Sequence, residues 1–319
     1  MTISTRTKEN AEVPAVHQPH GIPRKPRRAR GAAGYWLIAP LVAFLLALVV
    51  AAIVIGVTTS VQAYTIGSQT HPFAGLGNFE AVLGDPGFYH AVGFTLVFTG
   101  GSLVGEMILG TALALLFNRV FPGKSVFFTL AMFPILIAPA FMASLWQLSL
   151  NSNAGLLGAI FARLGLSQNL LGPSTAVPTL IAIDILHWAP FVMIMIYSGL
   201  RTVPAELYES STLDGAGYWK SHFYVVFPYI MPVIAVTLFL RLIDGLKTFD
   251  TIYILTGGGP GTETTNINIY AYKLAFTNGN FGQSSATSLI FLIVLLILVP
   301  AVTRYILPKQ TERKKVKTR

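Results

Sequence analysis

The sequence predicts an all-α fold, a polytopic membrane protein of six transmembrane helices, and three observations carry that prediction. Of 319 residues, 53% are hydrophobic and only 11% are Asp, Glu, Lys or Arg, against roughly 25% charged in an average soluble domain. Mean hydropathy is +0.62, and so few charges cannot clothe a soluble chain of this size. Six apolar stretches are each long enough for a bilayer core, which takes about 20 helical residues. The formal charge of +9 is held at the ends: residues 1–30 and 304–319 carry seven Lys/Arg each and three Glu between them, leaving a slightly acidic body. That distribution excludes a basic nucleic-acid-binding surface spread over the fold. The absence of Cys excludes a disulfide framework, a thiolate metal centre and a Cys nucleophile.

Residues 1–34, rich in Pro, Arg and Lys, read as a disordered basic cytoplasmic arm that touches anionic lipid headgroups. The first apolar stretch, 35–56, follows the basic run 24–30 as a signal peptide would. Its uncharged length exceeds the roughly 7–15 residues of a signal core and no small-residue cleavage site follows, so it reads as a retained helix. The next five stretches are 91–117, 126–150, 176–200, 229–255 and 286–306, completing a six-span transmembrane domain at 35–306 before a basic cytoplasmic tail at 307–319. With the N-terminus cytoplasmic, inside segments hold 18 Lys/Arg and outside loops two, Arg163 and Lys273. This bias puts both termini inside.

The longest cytoplasmic loop, 201–228, is not composed like a tether. Pro204 suits a first helical position, Glu206 and Glu209 lie near that helix's positive end, and Gly215 and Gly217 are natural stops. A short helix from Pro204 to about Leu213 follows, with an acidic and apolar face suited to a partner's groove. An interfacial helix on the headgroups is the simpler reading, but an acidic, Lys-poor helix is badly matched to an anionic leaflet.

Here the residues reach a resemblance. Glu209-Ser210-Ser211, Gly215, then nine residues and Val225-Val226-Phe227-Pro228 resemble the EAA loop of bacterial ABC importer permeases, with serines for the two alanines. Residues 204–209, 213–217, 248–261 and 73–79 resemble the maltose-type, carbohydrate-importing branch of that family. The resemblance implies a type I importer permease of the bacterial inner membrane. It also implies that Glu209, Ser210, Ser211, Asp214 and Gly215 form a coupling element seated on a cytoplasmic ATPase. Partners implied are a second homologous permease, two ATPase subunits that carry ATP and Mg, an extracytoplasmic solute-binding protein and a sugar or polyol. It points to His187, Trp188 and Phe191 on the fourth span, and Arg241, Asp244 and Thr248 on the fifth, as solute-binding residues.

Other motifs mislead. Gly123-Lys124-Ser125 looks like the end of a P-loop but follows an apolar span and has Asn118 where the first glycine belongs. The glycines at 257–259 follow a span and read as an external turn. No metal-ligand spacing and no catalytic triad can be defended, so the chain supplies no ATP hydrolysis of its own and the reading is a transport subunit, not an enzyme.

Ionisable residues inside spans are functional candidates, because each costs about 2.5 kcal/mol or more at the bilayer centre. Arg241, Asp244, Lys247 and Asp250 alternate in sign at steps of three, so a continuous fifth helix would carry them as a self-neutralising ladder. A packed ion-pair ladder and a polar cavity for a hydroxylated solute both remain open, as do a structural pair of Asp184 with His187 and a packing role for Glu106. An ion-coupled secondary carrier, using the ladder as relay, is the competing function.

Overall fold

The computed structural model of the protein describes residues 31–151, 155–163, 165 and 169–306. The basic arm up to residue 30 and the tail 307–319 lie outside the described residues. Two compact units divide the chain, Met1–Ala52 and Ile53–Arg319. Helix α1, Gly31–Ser60, starts in the first unit and takes in residues 31–34 that the composition had assigned to the arm.

In the second unit α2 (Gly77–Leu83) precedes α3 (Pro86–Asn118), which starts with Pro86 and with the Asp85 carboxylate accepting from the Gly87 N–H at 2.8 Å. Then come α4 (Lys124–Met132), α5 (Pro139–Leu150), α6 (Leu156–Arg163), α7 (Ala176–Arg201), α8 (Ala205–Leu213) and α9 (Tyr218–Ser221). A π turn, His222–Val226, leads into α10 (Phe227–Lys247), followed by α11 (Asp250–Thr256), α12 (Ile267–Tyr272) and α13 (Phe281–Ile306). Among the described residues there are two isolated β-bridges and no strand. Five helices are long and apolar enough to cross a membrane, or six spans if α4 and α5 count as one bent pair.

Two expected spans are corrected. The third is broken: its halves, Lys124–Leu136 and Pro139–Leu150, meet at 97°. Pro134 and Pro139 remove helical N–H donors, and the chain passes through a 3-10 turn, Phe133–Leu136, before restarting with Pro139 at the head of α5. The fifth ends at Lys247 rather than running to Leu255, so Asp250 opens a separate helix and the four-residue ladder does not exist.

The tightest pairing joins α3 to α7. A Cβ on Gly105 would lie 2.1 Å from the Ile185 side chain, and one on Gly110 would lie 2.5 Å from Val192. This glycine face lets the two helices approach closely, as small residues do between membrane helices. One apolar cluster, including Phe98, Leu180 and Ile252, joins α3, α5, α7 and α11. A second, including Leu115, Met193, Ile196 and Ile230, fills the opposite end of α3 and α7 against α10.

Candidate solute cavity and coupling loop

Three helices converge on Arg241. From α3, Glu106 takes its guanidinium in a fork, Nε to Oε2 at 2.6 Å and Nη2 to Oε1 at 2.7 Å, with both side chains buried. From α7, the Asp184 Oδ2 stands 3.6 Å from Nη2. On α10 itself Nη1 donates to Asp244 Oδ2 at 3.2 Å, and Lys247 reaches the other Asp244 oxygen at 3.4 Å. A buried cation in a membrane needs such partners, and a bidentate carboxylate is the strongest available. The guanidinium carbon also lies 4.2 Å from the Trp188 ring centroid, so one indole face is covered by Arg241.

The break after Lys247 opens a cavity of about 330 Å³, lined by Trp188, Arg241, Asp244, Thr248 and Asp250, with Pro139 brought in by the bend before α5. That volume is at the small end of ligand pockets, roughly 300–1,000 Å³. The break is held by amides: Asn266 Nδ2 donates to the Thr248 carbonyl, and Asn268 Nδ2 to the carbonyls of Leu246 at 3.1 Å and Thr248 at 3.3 Å. Carbonyls freed at a helix end inside a membrane have to be paired within the protein, and these side chains do it.

Of the six residues singled out for solute binding, four line this cavity: Trp188, Arg241, Asp244 and Thr248. His187 is buried behind it, edge-on to Trp188 at 5.0 Å, and does not pair with Asp184, which serves Arg241 instead. Phe191 is edge-on to Trp188 at 6.5 Å. Sequence spacing missed Glu106 as a partner of Arg241 and missed both asparagines, since the pairs are separated by 135 and about 20 residues.

The loop between α7 and α10 folds as two short helices. Pro204 stands at the N-cap of α8, one residue outside the helix, and Glu206 lies in its first turn. Gly215 takes φ +73°, a left-handed conformation that closes α8. The hydroxyls of Ser211 and Ser221 bond at 2.8 Å and are buried, tying α8 to α9. Ser210 instead bonds back to the Glu206 carbonyl at 2.8 Å. Glu209 and Asp214 are exposed, beside the exposed apolar side chains of Leu213, Trp219 and Tyr224. Burial, and then the neighbouring Tyr218, pushes the Tyr208 phenol above its ordinary value, keeping it protonated beneath the loop. Arg119, at the end of α3, covers the Tyr218 ring at 4.7 Å.

A fold of this kind, with a polar cavity between broken helices and an acidic loop exposed at one end, defines a membrane transport component. The chain belongs to the binding-protein-dependent transport system inner membrane component family, whose profile matches residues 34–312. It is 32% identical, over 82% of this chain and 90% of the relative, to the trehalose/maltose transport system permease protein MalF of Thermococcus litoralis. It is also 30% identical to the trehalose transport system permease protein SugA of Mycobacterium tuberculosis, over 83% of this chain and 85% of that one. The multiple sugar-binding transport system permease protein MsmF of Streptococcus mutans is 31% identical, over 70% and 77%. Among solved structures, a bacterial ABC transporter involved in import of the acidic polysaccharide alginate superposes with a TM-score of 0.72 at 24% identity, covering 86% of this chain and 99% of that chain. The chain is thus a multi-pass inner-membrane permease of the ABC importer class.

Proposed function

We propose that this chain is one of two permease subunits in an importer that moves a sugar or polyol across the bacterial cytoplasmic membrane, driven by ATP hydrolysis on a separate subunit. The observation that carries the reading is the polar cavity at the α10–α11 break, walled by an aromatic face and carboxylates, groups that suit hydroxylated solutes. Relatives bearing trehalose, maltose and multiple-sugar names support the solute class. Trp188, Asp244 and Thr248 would contact solute, Arg241 would form the floor, and His187 and Phe191 would support the indole from behind.

Glu209, Ser210, Ser211, Asp214 and Gly215 build the element that docks on the ATPase. ATP and Mg belong to that partner, of which two copies serve the permease pair. An extracytoplasmic binding protein delivers the solute, and both termini of this chain face the cytoplasm. ATP-driven closure of the ATPases pulls on α8, and the cavity opens alternately to either side.

The test is uptake of labelled trehalose or maltose into vesicles holding the complete transporter. Uptake that requires ATP and the binding protein, and that falls when Trp188 and Asp244 are substituted, is the expected result. Uptake that collapses with the proton gradient while ATP is maintained would overturn the reading in favour of an ion-coupled carrier.

A further inference from the structure

Sequence and fold leave the charge of the solute open: some relatives are named for trehalose and maltose, which are uncharged, whereas the alginate transporter of the same fold takes an acidic polysaccharide. We propose that the cavity at the α10–α11 break admits a solute without negative charge, and that Glu106 sets this preference by consuming the positive charge of Arg241. The inference rests on the reading of this cavity as the solute site.

Arg241 is the only buried cation on the cavity wall among the described residues, and carboxylates and an indole surround it. Its Nε and Nη2 are taken by the two Glu106 oxygens at 2.6 and 2.7 Å, its Nη1 by Asp244 at 3.2 Å, and one of its faces by Trp188. Three of its five N–H donors are thus bonded to carboxylates and Asp184 stands 3.6 Å from Nη2, so an incoming carboxylate would have to share a cation that three acidic side chains already surround. Lys247 is exposed and already stands 3.4 Å from Asp244. Asp250 lines the same cavity and has no ion pair among the described residues.

Four carboxylates, Glu106, Asp184, Asp244 and Asp250, therefore stand around or directly behind the cavity against two cations, Arg241 and Lys247. The oxygens facing the cavity are acceptors, matched to the hydroxyls of a neutral sugar or to an amine. A uronic acid in the same place would set like charges together, with both cations of the cavity wall, Arg241 and Lys247, already paired to carboxylates, which is specificity by repulsion rather than by added contact. Glu106 contributes without touching solute: it turns an arginine that would otherwise recruit anions into a neutralised floor.

The experiment uses the complete permease–ATPase complex in lipid nanodiscs, without binding protein, and two probes of equal size: trehalose and the disaccharide in which one glucose is oxidised to glucuronate. The readout is the tryptophan emission change that disappears in Trp188→Phe, which confines the signal to this cavity. Trehalose is expected to give a saturable change, and the glucuronate probe to bind at least about tenfold more weakly. Glu106→Gln, which keeps the shape and drops the charge, should narrow that ratio. Asp250→Asn, which leaves the buried clamp untouched, should narrow it as well and covers the case in which the Glu106 variant does not assemble. Equal affinity of the unmodified complex for both probes, or a ratio unmoved by either variant, would overturn the proposal. If neither probe moves the Trp188 signal while ATP-driven trehalose uptake persists, the site assignment itself fails and takes this inference with it; absence of any sugar uptake would instead sink the importer reading.

Discussion

At the scale of single residues, the Glu106–Arg241 fork is the contact on which most depends. Removing one partner of a buried pair strands the other charge, at about 3–5 kcal/mol, whereas a neutral isostere keeps one hydrogen bond. Glu106→Ala is therefore expected to lower the thermal unfolding temperature of the detergent-solubilised complex far more than Glu106→Gln; equal losses would show that the charge is not what holds Arg241. Arg241 itself was legible in the sequence because an arginine inside an apolar stretch is costly and conspicuous. Its main partner was not legible, because helical spacing names neighbours three and four residues away, and Glu106 is 135 residues distant. Spacing suggested instead a ladder through Lys247 to Asp250, which a break in the backbone cancels. The Asp184 and His187 pairing failed for the same reason: a cation from another helix outbids an imidazole one turn away.

At the scale of elements, the α3–α7 glycine face separates two substitutions that look alike in sequence. A Cβ at Gly110 would fall 2.5 Å from the Val192 side chain and 2.9 Å from the Ala189 carbonyl oxygen, and a backbone atom cannot step aside. A Cβ at Gly100 on the same helix meets nothing within 4 Å. Gly110→Ala should cost about 1–3 kcal/mol by overpacking, while Gly100→Ala should be neutral or slightly stabilising through helix propensity. Thermal unfolding of the two variants decides it, and equal behaviour would refute the close approach. The break between α10 and α11 makes a second prediction. Asn268→Leu removes the side-chain donor to the Leu246 carbonyl, at about 1–3 kcal/mol for an unpaired acceptor, while the Thr248 carbonyl keeps its bond from Asn266. With the helix end released, uptake should show a raised KM, whereas a purely structural loss would lower only the amount of assembled complex. Six apolar stretches were readable from length and hydropathy, but breaks inside two of them were not. Pro134 and Pro139 do mark the third; in the fifth, Pro232 and Gly245 mark a helix able to bend or break, but they do not place the break at Thr248, whose support comes from asparagines on the far side of a loop.

At the scale of the whole molecule, the cavity and the exposed loop are linked by one continuous helix. From Trp188 to Arg201 at its end, α7 runs about 20 Å, and α8 begins four residues later. The loop was legible from its composition, glycine spacing and acidic first turn. The use of its serines was not, since only the folded turn brings Ser211 onto Ser221. That bond also separates two roles within the loop, one internal and one facing outward. Ser211→Val should loosen α8 from α9 without changing the exposed face, so the ATPase should still bind while the ATP consumed per sugar imported rises. Leu213 is 88% exposed, and burying a leucine in a partner's groove contributes roughly 1.5–3 kcal/mol. Leu213→Asp should therefore weaken ATPase association about tenfold or more, read as loss of the ATPase on gel filtration of the solubilised complex. Glu209→Lys, on the same exposed face, should act in the same direction and grow stronger at low salt, where charge contrast is least screened. If all three variants simply reduce the amount of complex, the loop is a folding element. If Ser211→Val alone spares assembly while lowering transport per ATP, then the contact between α8 and α9 carries the stroke, and the outward face serves to hold the ATPase in place.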